Sequence, residues 1–413
     1  MKYRIKKIFS AIFLIFLLTA FVKCEITYSD FQYIQIRLLS KTEKDIVNSS
    51  AQFGFNLLKE ISKNELNKNV IISPLSISTA LGMVLNGASD ETYDQMKAAL
   101  GFSDFKFDDI NKSYRSLDSL LKYIDEKVIF NSANSIWYHN EFSVEQNFIE
   151  INKKYFNAEV NKIDFSNPIA KDIINNWVKE ATNSKIPKII DKINPEIVMF
   201  LINAIYFKGN WQNQFDKNST KEDMFYIDEN NTVACQMMSQ KNHFNFYYDE
   251  NMEAVELPYG NSSFNMMIIL PSLNKKVEDV ISVMSSDKFD FIKNKFVKKE
   301  ITIMIPKFKL EYSKTLNDAL MNLGMKDAFI PEKANFSKIS KLKNLFISEV
   351  IHKTFIEVNE EGTEAAAVTS VGLGVTSVGN YFKVDRPFLF IIYEKNTNTI
   401  LFLGKVINPV EGN

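Results

Sequence analysis

Between two bulky, strand-forming runs, FISEVIHKTFIEV (346–358) and YFKVDRPFLFIIYE (381–394), the sequence places EEGTEAAAVTSVGLGVTS (360–377). Those eighteen residues hold no aromatic, no Lys and no Arg, in a chain with 34 Phe and 49 Lys plus Arg. A segment so poor in large side chains cannot anchor a core of its own. On composition alone it reads as a flexible, low-complexity surface loop. No Pro interrupts it, so it remains able to join a β-ladder.

Around that segment the chain alternates in a definite order. From about residue 44 to 124 the pattern is helical: SAQFGFNLLKEIS sets Phe53, Leu57 and Ile61 at i, i+4, i+8. Ser73 before Pro74 is a helix start, a cap followed by a residue suited to the first turn. After residue 127 strands and helices mix. VIFNSANSIWYH reads as a strand, and VMFLINAIYFKGNW as a strand covered on both faces. EITIMIPKFKLEYS reads as one long strand. Helices first and strands later predict an α+β architecture with large sheets. No linker or repeat divides the 413 residues, so a single large domain is expected.

The N-terminus, MKYRIKKIFSAIFLIFLLTAFVKCE, has a basic start and an apolar run, with Val22 and Cys24 suited to a cleavage site. Residues 1–24 are expected to be a signal peptide, 25–44 an N-terminal extension and 45–413 the folded domain. An uncleaved signal anchor is the alternative. Cleavage leaves Cys235 as the single cysteine, so a secreted chain would be held by its core rather than by disulfides. Cys235 reads as a buried apolar residue, with a reactive thiol as the alternative. Sequons at Asn48, Asn111, Asn218, Asn230, Asn261 and Asn335 fit an exported glycoprotein. A formal net charge of −1 gives no reason to expect a nucleic-acid or membrane partner after signal cleavage.

Enzyme signatures are absent: no GxSxG, P-loop, HExxH or CxxC. The three His (His139, His243, His352) have no metal-ligand spacing, so neither a metal nor a cofactor is expected. Lys112, Arg115 and Lys122 read as a solvated helix face, with polyanion binding as the alternative.

Five stretches in order resemble the serpin family, from about residue 45 to 410: NVIISPLSISTALGMVLNGA, INNWVKEATNSKI, INAIYFKGNW, EVNEEGTEAAA and FKVDRPFLFII. The resemblance implies the serpin fold, three β-sheets with about nine helices and an exposed reactive-centre loop at about 360–383. It also implies a suicide inhibitor of serine proteases. The protease cleaves the loop, the loop inserts into the main sheet as a new strand, and the acylated protease is carried along and distorted. The hinge of that loop maps onto Glu360, Glu361, Gly362, Thr363, Glu364, Ala365, Ala366, Ala367, Val368 and Thr369. Only Val368 departs from the usual pattern, where Ala is commoner. Ser73, Ser76, Asn203 and His352 correspond to the family's shutter, and Trp211 to its breach. Without the resemblance, the same residues read as a satisfied core network and a core aromatic.

The residues can be tested against that implication. In strand geometry Thr363, Ala365, Ala367, Thr369, Val371 and Leu373 share one face, small at the start and larger and apolar further on. The other face carries Glu364, Ala366, Val368, Ser370, Gly372 and Gly374. Inserting about twelve residues adds roughly a dozen ladder hydrogen bonds at ~0.5–1.5 kcal/mol net each. The gain is on the order of 10 kcal/mol, comparable with the whole stability of a domain.

Family spacing from Glu360 and from Pro387 both put the reactive bond between Thr376 and Ser377, with Val375 as second choice. A small residue there favours an elastase-like target, with chymotrypsin-like or cysteine proteases as further candidates; the protein is expected to act as a monomer. Two competing readings remain: a non-inhibitory carrier, storage protein or chaperone, and a secreted hydrolase.

Overall fold

The computed structural model describes residues 37–194, 197, 199–341, 345–363 and 381–411. The opening helix α1 (Lys41–Asn64) is set by a capping box: Ser40 N–H donates to Glu43 Oε2 (2.8 Å) and Glu43 N–H donates to Ser40 Oγ (3.2 Å). That cap starts the helical body at Lys41, so the expected boundary at residue 45 falls inside a helix. Phe53, Leu57 and Ile61 are buried, as their spacing predicts. After β1 (Val70–Ile72), Ser73 caps α2 (Pro74–Leu85), accepting from Ser76 N–H (3.3 Å), and almost every residue of α2 is buried.

There follow α3 (Asp90–Ala99), α4 (Phe107–Tyr123), β2 (Val128–His139), α5 (Gln146–Phe156), β3 (Glu159–Ile163), α6 (Ala170–Ala181) and β4 (Met199–Asn210). Next come β5 (Lys221–Tyr226), β6 (Thr232–Tyr248), β7 (Met252–Pro258) and β8 (Phe264–Pro271). Then α7 (Val277–Val283) and α8 (Ser286–Asn294) precede β9 (Val297–Pro306), β10 (Phe308–Thr315) and α9 (Asn317–Asn322). The chain closes with β11 (Ile351–Asn359), β12 (Gly362–Thr363), β13 (Tyr381–Lys383), β14 (Phe388–Glu394) and β15 (Ile400–Val406). Among the described residues there are nine α-helices, as expected.

The strands form two hydrogen-bonded sheets. One has six strands in the order β10-β11-β12-β4-β2-β3. The other runs β1-β15-β14-β8-β7-β6-β9-β13, with β5 on β6. Two of the three expected sheets are continuous through β6, whose residues 245–248 pair with β7 while residues 237–246 pair with β9.

EITIMIPKFKLEYS is not one strand. β9 ends at Pro306, which has no N–H to extend a ladder, and β10 begins at Phe308 in the other sheet. Lys307 sits at the crossover, its N–H donating to Gln236 O (2.8 Å). By contrast β4 is covered on both faces, as its apolar run predicts. Phe207 belongs to the main core, with Leu201 and Ile205 packed against it, while Ile202 and Ala204 join a second cluster with Ile174 and Val178 of α6.

Cys235 is free and buried, and burial pushes its thiol up to about 11, so it behaves as a core residue. Asn111 overturns its expected glycosylation: it is 2% exposed and its amide nitrogen donates to Asn86 Oδ1 (2.9 Å), leaving no route for a glycan. Asn48, Asn218, Asn230 and Asn261 are exposed and Asn335 is half-buried. On α4, Lys112 pairs with Asp108 (2.7 Å) and Lys122 with Asp118 (2.8 Å), as on an ordinary solvated face. Among the described residues no helix is long and apolar enough to cross a membrane, and no group of His, Cys, Asp or Glu could hold a metal ion.

Candidate functional site

In the six-stranded sheet, β4 and β11 are not hydrogen-bonded to each other; the two-residue strand β12 lies between them. Gly362 and Thr363 pair antiparallel with Asn359 and Val358 on one side and with Asn210 and Gly209 on the other. The hinge predicted from the sequence thus begins as a strand inside the sheet.

The turn from β11 into β12 is built by Asn359, whose Oδ1 accepts from Glu361 N–H (3.0 Å) and Gly362 N–H (3.3 Å). Glycine is required at 362: its φ is +150°, and a Cβ there would sit 2.1 Å from Gly209 O. Trp211 holds the turn from below. Its backbone N–H donates to Glu361 O (2.8 Å) and its indole N–H to Asn359 O (2.9 Å). The indole stacks on Tyr259 at 4.4 Å and 12°, and Tyr259 Oη lies 2.7 Å from Thr363 Oγ1. Trp211, which the resemblance assigns to the breach, thus contacts the turn directly and, through Tyr259, reaches β12.

Both hinge glutamates are buried and paired with lysines. Glu360 meets Lys307 (3.0 Å) and accepts from Thr220 Oγ (2.9 Å); Glu361 meets Lys217 (2.6 Å). Burial alone would raise the Glu360 carboxyl, but hydrogen bonds from its own backbone N–H, Lys307 and Thr220 hold it below the usual range. The second oxygen of Glu361, Oε2, is buried with no hydrogen-bond partner among the described residues. Glu364, Ala365, Ala366, Ala367, Val368, Thr369, Val375, Thr376 and Ser377 lie outside the described residues, as do residues 1–24.

The four shutter residues divide. Ser73 and Ser76 share the cap of α2, and Ser73 N–H donates to His352 Nε2 (3.1 Å). His352 is buried, which lowers its pKa to about 3 and keeps it a neutral acceptor. Asn203 bonds elsewhere, its amide nitrogen donating to Asn134 Oδ1 (2.7 Å) and Ser132 Oγ (3.2 Å) on β2. Among the described residues no hydrogen bond joins it to the other three, because β4 and β11 stand apart. The single four-residue network expected from the sequence is thus two networks on opposite lips of an opening. Between them lies a cavity of about 350 Å³, bordered by residues 199–203 of β4 and 345–353 around β11, with Ile77, Leu81 and Val84 of α2 among its lining.

Reading the sequence alone missed Tyr259, Lys217, Lys307 and Asn359. Tyr259, Lys217 and Lys307 meet the hinge only through the fold, and no local pattern marks them. Asn359, by contrast, directly precedes Glu360, and an Asn shortly before a glycine is a turn signal.

Residues 48–409 match the family model described as serpin (serine protease inhibitor), and the chain belongs to the serpin family. Over 380 residues it is 37% identical to an uncharacterized serpin-like protein of Thermococcus kodakarensis, covering 90% of this chain and 87% of that one. It is 35% identical over 379 residues to the leukocyte elastase inhibitor of Xenopus laevis, covering 89% and 100%. The solved structure of human thyroxine-binding globulin with its ligand matches with a TM-score of 0.83 at 31% identity, covering 90% of this chain and 100% of that one. Members of the family are typically protease inhibitors rather than enzymes.

Proposed function

We propose that this serpin is a secreted suicide inhibitor of a serine protease, released by cleavage after residue 24 and acting as a monomer. Cleavage between Thr376 and Ser377, or after Val375, would free the loop to insert between β4 and β11 with the protease still acylated on it. An elastase-like enzyme, with its small apolar specificity pocket, is the expected target. Glycans would sit on Asn48, Asn218, Asn230, Asn261 and Asn335.

One observation carries this reading: Gly362 and Thr363 already pair with both β4 and β11. Continuing that antiparallel register sets loop residues 369–373 opposite residues 199–203 of β4, along the border of the cavity. Val371 and Leu373 share the face of Thr363, which is 3% exposed and turned to the core at Tyr259. They would fill apolar space over α2 at ~1.5–3 kcal/mol apiece. The test is to incubate the protein with pancreatic elastase. An SDS-stable complex and a new C-terminus at Thr376 support the reading, while cleavage without a stable complex removes it.

A carrier role is the second reading, favoured by the likeness to thyroxine-binding globulin. Its loop would be cleaved without gain in heat stability.

A further inference from the structure

A second space lies beside the hinge, between the starts of β6 and β10 and the end of β11. It is an open groove of about 670 Å³, inside the ~300–1,000 Å³ range of small-molecule sites. Its charged lining is layered. The side chains of Glu360 and Glu361 are 6% and 5% exposed, while those of their partners Lys307 and Lys217 are 38% and 51% exposed. The carboxylates lie beneath, and the ammonium groups face the groove.

Lys309 adds a third cation. It stands exposed on β10, opposite Glu357 in the β10–β11 register. Glu357 instead pairs with Lys185 (3.8 Å), and among the described residues no carboxylate pairs with Lys309. An ammonium group has three N–H donors, and the buried glutamates take one from Lys217 and one from Lys307. The donors left over belong to half-exposed and exposed side chains, within reach of a ligand in the groove.

Three cations on separate chain segments suit an anion whose charge is spread over several groups, because a lysine meets a phosphate as a point charge. The groove is also larger than one phosphate fills. Phe308, the aromatic residue of the described lining, is 2% exposed, so no ring is open to stack a nucleobase.

We propose that this groove binds a small anion carrying several phosphate groups, whose oxygens accept hydrogen bonds from Lys217, Lys307 and Lys309. Binding needs no insertion of the loop. The anion and the hinge glutamates draw on two of the same lysines, so occupancy of the groove is coupled to the hold on the hinge.

The probes are inorganic triphosphate, orthophosphate and ATP, titrated calorimetrically into the intact protein in metal-free buffer. Triphosphate should bind saturably at one equivalent, at least about tenfold tighter than orthophosphate and within about threefold of ATP. Lys309→Gln, a change at an exposed position, should lower the triphosphate affinity at least about fivefold, whereas Lys112→Gln on α4 should leave it unchanged. Glu361→Gln removes the negative charge beneath Lys217 and should tighten binding severalfold. Each variant is first checked for a cooperative unfolding transition. No saturable binding, undiminished binding to folded Lys309→Gln, or an equal loss in Lys112→Gln overturns the proposal. ATP binding tenfold tighter than triphosphate would mean that a nucleoside is recognised, and it overturns the proposal as well. Unchanged or weaker binding to folded Glu361→Gln overturns the coupling to the hinge.

Discussion

Thr363 Oγ1 lies 2.7 Å from Tyr259 Oη, a hydrogen bond between the second residue of β12 and the main core. Both residues are buried, Tyr259 completely, and burial pushes its phenol far up, so the hydroxyl stays protonated. Tyr259→Phe leaves the Thr363 hydroxyl without its partner. The expected cost is ~1–3 kcal/mol, read from denaturant unfolding of the intact protein. Adding Thr363→Val should cost less than the sum of the two single changes; strict additivity would mean that the contact carries no energy.

Thr363→Arg tests the hinge itself. A guanidinium at a position 3% exposed would be buried without a partner, at several kcal/mol. Insertion should stall and the variant should be cleaved as a substrate, with the moles of inhibitor consumed per mole of protease rising severalfold. Unchanged inhibition would mean that a small, uncharged residue at position 363 is not needed for the loop to insert.

The pair of Lys217 and Glu361 is asymmetric: the lysine is half exposed and the carboxylate is buried. Lys217→Met strands an acid that already has one unpartnered oxygen. The expected loss is ~1–3 kcal/mol, discounted for the exposure of the lysine. Faster limited proteolysis around residues 361–363 would report a loosened hinge, and an unchanged rate would show that the ion pair does not hold it.

His352 gives the pH dependence a definite sign. Folding lowers its pKa from 6.5 to about 3, so below pH 6.5 the unfolded chain takes up a proton that the folded chain refuses. Its contribution is present in full above pH 6.5 and is lost as the pH falls toward 3, at ~1.4 kcal/mol per pH unit, or about 2 kcal/mol between pH 6.5 and 5. His352→Gln, which keeps an acceptor for Ser73 N–H, should flatten that segment of the stability curve. An equal slope in the variant would assign the dependence to other groups.

Much of the fold was legible because local chemistry and tertiary structure agree. The Ser73–Pro74 helix start, the α1 stripe of Phe53, Leu57 and Ile61, and the doubly covered strand β4 all follow from cap preference and periodicity. Where they diverge, an interaction distant in sequence or a broken ladder prevails. Pro306 ends one strand, and the next strand, from Phe308, belongs to a different sheet. The hinge was readable from its small residues, but the partners Lys307, Lys217 and Tyr259 stand 53 to 144 positions from Glu360, Glu361 and Thr363 and leave no pattern beside them. Asn203 was grouped with His352 by resemblance. The opening between β4 and β11 instead assigns it to Asn134 and Ser132.

The central claim is that the segment after Thr363 becomes a strand between β4 and β11. Amide hydrogen exchange of residues 365–373, in protein cleaved within the loop by a catalytic amount of protease, tests it most directly. The account predicts protection equal to that of the neighbouring strand residues 201–209. Exchange at the rate of a free peptide would contradict it.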